Sequence, residues 1–87
     1  MKIKSNFKLK KIAGEYIVLM EGSTLNMTKV ISLNESSAWL WEQIFDKDFS
    51  EEDLVELLCN NYEVSKEQAA TDVSKWVALL MEHRIAE

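Results

Sequence analysis

The chain has 87 residues, 47% of them apolar, with three Trp, three Phe and two Tyr as bulky core material, which fits one globular domain over 1–87 and excludes a second domain or a largely disordered chain. Its net charge of -5 conceals an asymmetry: residues 1–13 carry five Lys and no acid, while the rest carries all fifteen acids against five bases. A helical part so acidic repels a phosphate backbone, whose capture depends largely on Lys and Arg, so nucleic-acid binding is not expected.

Residues 7–12 begin with an apolar/charged alternation, the pattern of a half-buried strand. Gly14 then marks a hairpin before Glu15 to Met20, a run too short and too β-branched to favour a helix, which is read as a buried second strand. Gly22-Ser23 signals the next turn. From Leu25 to Leu33 apolar residues recur at Leu25, Met27, Ile31 and Leu33, a third strand in which Val30 breaks the alternation.

From Asn34 the period becomes helical. Asn34 is the expected cap of a first helix whose Leu40, Trp41, Ile44 and Phe45 share a face and which ends near Asp46-Lys47-Asp48. Trp39 sits about half a turn away from that stripe. The second helix opens at Ser50, with Asp53 at its third position, Glu51 and Glu52 at the positive end of the dipole, and Phe49 placed to staple onto Leu54. Its stripe is Leu54, Leu57 and Leu58, and Asn60-Asn61 is the expected stop. Ser65 and Gln68 predict a capping box for a third helix with Ala69, Val73, Trp76, Val77 and Leu80 facing inward. Arg84 to Ala86 reads as a short tail. The order is an α+β domain, a three-stranded antiparallel sheet followed by three helices, similar to a winged helix-turn-helix with its sheet placed first.

Catalytic chemistry finds little material. Cys59, the one cysteine, lies on the inward side of a Leu-rich helix and far in sequence from His83, the one histidine. A packing role for Cys59 is the simpler reading, and the two residues make no plausible metal set. His83 near a helix end is most simply a surface residue or a favourable charge on the dipole. Glu51-Glu52-Asp53 fan around a helix start, so they cap rather than pair as an acid and base. No cofactor is expected, and two isolated glycines make no phosphate loop. A lone cysteine suits a reducing, cytoplasmic setting, and the chain lacks both a secretory h-region and an apolar run near the roughly 20 residues a membrane span needs.

The two sheet edges differ. If the strands form a simple meander, the first is guarded by Lys8, Lys10 and Lys11, a device that discourages pairing with strangers. The third, Met27-Thr28-Lys29-Val30-Ile31-Ser32, has a single Lys among β-formers and can accept an added peptide strand, or be covered by a helix or a second copy of the chain. On the third helix Asp72, Lys75, Leu79 and His83 form a mixed stripe with Trp76 on its border. It reads as a solvated flank or as a groove wall.

Taken in order, Leu33-Asn34-Glu35-Ser36, Leu40-Trp41, Ser50-Glu51-Glu52-Asp53-Leu54, Tyr62 with Val64, Asp72-Val73 and Leu79-Leu80 resemble the PqqD-like proteins, precursor-peptide recognition elements of ribosomally made, post-translationally modified peptides. The resemblance runs from about Glu15 to Ile85. It implies a leader peptide added as a strand beside Met27, Thr28, Lys29, Val30, Ile31 and Ser32, resting against Asp72, Lys75, Trp76 and Leu79. It further implies delivery of that peptide to a modifying enzyme, often a radical S-adenosylmethionine enzyme or a leader peptidase, by a protein that is not itself an enzyme. The chain departs from the family pattern at Asp46-Lys47, where aspartate-glycine is frequent, at Met20-Glu21, which lacks a proline, and at His83-Arg84, where glycine is common. A winged-helix nucleic-acid-binding or regulatory module and a structural homodimer are the alternative readings.

Overall fold

The computed structural model describes residues 1–21 and 27–87, with residues 21 and 27–29 described as backbone only. The expected Gly22-Ser23 turn and a strand start at Leu25 lie outside the described residues. Three strands, β1 (Phe7–Ile12), β2 (Glu15–Glu21) and β3 (Met27–Leu33), precede three helices, α1 (Glu35–Ile44), α2 (Glu51–Asn61) and α3 (Lys66–Glu82). The sheet is antiparallel in the order β1-β2-β3, so the lysine-bearing strand is one edge and β3 the other.

Each turn has a local cause. Ile12 pairs with Glu15, leaving Ala13-Gly14 as a two-residue connection with φ of 52° and 83°. Both positive values define the hairpin turn whose twist matches the strands it joins. Between β2 and β3, Val18 faces Ile31 but Leu19 faces Lys29, so Val30 has no partner of its own. The residue that broke the alternation is therefore a β-bulge, which shifts the ladder by one residue.

The helix starts follow their side chains. Asn34 Oδ1 accepts the Ser37 N–H at 2.8 Å. At α2, Ser50 Oγ accepts the Asp53 N–H at 3.1 Å while Asp53 Oδ2 accepts the Ser50 N–H at 3.0 Å, a complete capping box. The box expected at α3 is only half present: Ser65 Oγ accepts the Gln68 N–H at 3.1 Å, but Gln68 Nε2 turns forward to Asp72 Oδ1 at 2.9 Å. The side chain turns its amide donor to an i,i+4 carboxylate instead of bringing its carbonyl oxygen back to accept the Ser65 N–H.

The C-terminal segment is not a loose tail. Arg84 takes φ of 56° after the α3 cap His83, its N–H bonds Met81 O at 3.1 Å, and Ile85 N–H bonds Leu80 O at 2.8 Å. That is a Schellman motif with Arg84 in the place glycine prefers. The chain then pairs with its own beginning. Ile3 bridges Ala86, Lys2 N–H donates to Glu87 O at 2.8 Å, and Glu87 N–H returns a bond to Lys2 O at 2.9 Å. Met1 and Phe49 exchange backbone bonds at 2.7 Å, which ties this short ladder to the start of α2.

The core gathers one face of the sheet, the inner stripes of the helices and both chain ends. Val18, Leu54, Leu80 and Ile85 are fully buried, and Ile3, Phe7, Trp41, Ile44, Phe49 and Val73 join them. All five residues expected to line the inner face of α3 are buried. Cys59 is half-buried and packs against this cluster.

Candidate functional site

α3 packs mainly on α2, and an opening remains between α3 and the start of α1. This opening is a groove of about 480 Å³. One wall is the α3 face carrying Asp72, Val73, Lys75, Trp76 and Leu79, and the other is Asn34, Ser36, Ser37 and Leu40 from the opening of α1. Leu58, Tyr62 and Val64 close the end where α2 gives way to α3. The 3.6-residue period explains the α3 wall, since 72, 75, 76 and 79 are one and two turns apart on a single side.

The floor is apolar and the rim polar. Trp76 is 7% exposed, and its indole N–H finds no acceptor among the described residues. Leu79 is half-buried, whereas Asp72 and Lys75 are exposed. Asp72 is held in place by Gln68, so one acid and one base mark the rim at fixed positions on the helix.

The structure thus brings Asp72, Lys75, Trp76 and Leu79 together in one groove, and leaves His83 out of it. On the strand side, Val30 and Ile31 are half-buried against the core, while exposed Ser32 lines a separate hollow with Lys11, Glu15 and Tyr16. Met27, Thr28 and Lys29 are placed by backbone pairing with β2 alone. No strand among the described residues pairs with the outer side of β3.

Tyr62, Val64 and Leu58 line the groove without having been singled out as site residues. Tyr62 carried a usable signal, being an aromatic residue just past the Asn60-Asn61 stop with no place in any helical stripe. It is 41% exposed and stands edge-on to Trp39, with ring centroids 5.5 Å apart at 79°. That contact gives Trp39, half a turn away from the main α1 stripe, a surface of its own to pack on.

Among the described residues no group of three or more His, Cys, Asp or Glu is placed to hold a metal ion, and no helix is long and apolar enough to cross a membrane.

Fold and groove together define an α+β domain in which a three-stranded antiparallel sheet, with β3 at one edge, leads into three helices that line a groove. The chain belongs to the family of coenzyme PQQ synthesis protein D (PqqD), whose sequence model matches residues 15–86. No curated protein and no solved structure matches the chain.

Proposed function

We propose that this domain is a non-catalytic adaptor that captures a precursor (leader) peptide as an added strand along Met27 to Ser32 and presents it to a modifying enzyme, either a radical S-adenosylmethionine enzyme or a leader peptidase. The observation that carries the reading is the pairing of an unguarded β3 edge with a groove on α3 that opens beside the end of that strand. Main-chain hydrogen bonds along an edge supply affinity with little regard to sequence. Specificity then falls to the groove, where Trp76 and Leu79 offer apolar surface and Asp72 and Lys75 offer one charge of each sign. Family membership supports a biosynthetic, peptide-binding role.

The test is an amide NMR titration of labelled protein with the N-terminal leader of a precursor peptide encoded beside this gene. Shifts concentrated at Met27 to Ser32 and at Asp72 to Leu79 are expected. An unchanged spectrum from folded protein at saturating leader overturns the pairing. The same open edge also suits a second copy of the chain, and concentration-dependent sedimentation in the absence of peptide distinguishes that homodimer.

A further inference from the structure

A second hollow shares Tyr62 with the groove. Tyr16 of β2, Trp39 of α1 and Tyr62 after α2 converge on it, and Glu35 and Glu42 flank them. The two carboxylates are seven positions apart, two helical turns, so both stand on the side of α1 that carries Trp39. Both are exposed, and neither takes part in a side-chain hydrogen bond among the described residues.

Three ring systems beside two unengaged carboxylates favour one kind of occupant. Aromatic faces attract cations through their quadrupole, and carboxylates add a Coulomb term of the same sign. Tyr16 already does this within the chain, since Lys11 Nζ lies 5.2 Å from its ring centroid. An anion fares worse, because the Ser37 N–H at the opening of α1 is taken by Asn34 and Glu35 stands at the mouth. A purely apolar side chain would leave both carboxylates without a partner.

We infer that this hollow binds a cationic side chain, arginine or lysine, of the peptide held in the neighbouring groove. Asn34, Ser36 and Tyr62 line both spaces, so the two are adjacent. Asn34 also directly follows β3, so the hollow adjoins the end of that strand. The peptide as occupant rests on the adaptor reading above. The cation preference rests only on the hollow.

The first probe is N-acetyl-arginine amide, titrated into labelled protein while the Trp39 indole N–H and the amides of Glu35 to Glu42 are followed. N-acetyl-citrulline amide, the neutral isostere, is the control. Saturable shifts with the arginine amide and none with the citrulline amide are expected, with affinity falling roughly fivefold in the Glu35→Gln/Glu42→Gln variant. Equal shifts with both amides, or none with arginine, overturn the site. The second probe is the leader with its basic residues changed to Gln. If it still shifts Met27 to Ser32 but binds as tightly as the unaltered leader and perturbs Trp39 equally, the inference fails and the groove reading survives. If the leader leaves the groove unshifted while the arginine amide still moves Trp39, the adaptor reading fails and the cation site stands.

Discussion

Tyr62 meets Trp39 edge to face at 5.5 Å, and this pair joins the end of α2 to the outer side of α1. An edge-to-face aromatic pair contributes about 0.5–1.5 kcal/mol beyond the area it buries. Tyr62→Leu keeps apolar bulk and removes that geometry. Urea denaturation is expected to show a loss of about 1 kcal/mol, with the slope unchanged.

The bridge between Ile3 and Ala86 sets a larger stake. Ile3 is 2% exposed, so Ile3→Ala leaves a cavity where the first segment, the last segment and the core meet. A cost of about 2–5 kcal/mol is expected, a large share of the stability of so small a domain. Equilibrium unfolding measures it, and a loss below about 1 kcal/mol would mean that the N-terminal segment contributes little.

Two non-glycine residues at positive φ can be improved. Ala13 at 52° and Arg84 at 56° occupy positions in a hairpin turn and a Schellman motif that glycine adopts without steric cost. The left-handed region costs an L-residue about 1–2 kcal/mol, partly offset by the greater freedom of glycine in the unfolded chain. Ala13→Gly and Arg84→Gly are each expected to stabilise by about 0.5–1 kcal/mol, raising Tm by a few degrees in a thermal melt.

Leu79→Glu separates binding from folding. The side chain is half-buried in the groove wall and not in the deepest core, so the variant is expected to stay folded. Its affinity for the leader is expected to fall about tenfold or more by isothermal calorimetry, because a carboxylate replaces an apolar contact. Unchanged affinity in a folded variant removes Leu79 from the site.

Ser50 and Asp53 cap α2 reciprocally, at 3.1 and 3.0 Å. Ser50→Ala is expected to cost about 1 kcal/mol. Because each residue holds the other's backbone N–H, combining Ser50→Ala with Asp53→Ala should cost less than the two single losses added together. A double-mutant cycle by denaturant titration checks it.

What was legible in the residues is what has a period or a local partner. Val73, Trp76, Val77 and Leu80 announce a buried helix face through their spacing, and Ser50 announces a helix start because its partner is three residues away. Even the bulge left a mark, as Val30 out of step. The pairing of Ile3 with Ala86 left none: a single bridge between distant segments has no repeat, and its residues look like any chain end. Gln68 was misread as reaching back because a capping box and a forward bond to Asp72 use the same residue, and only the geometry decides between them. The α3 half of the groove could be read from one helix. Its closed end, at Leu58, Tyr62 and Val64, depends on how two helices meet.

The short ladder of Lys2 with Glu87 has a consequence for how such a domain can be tethered. Both ends of the chain leave the body at one spot, beside Phe49 at the start of α2. The groove lies by Tyr62 at the other end of that helix, roughly 16 Å away at 1.5 Å per residue. A domain joined at either terminus would hang from that one point, at the opposite end of α2 from the groove.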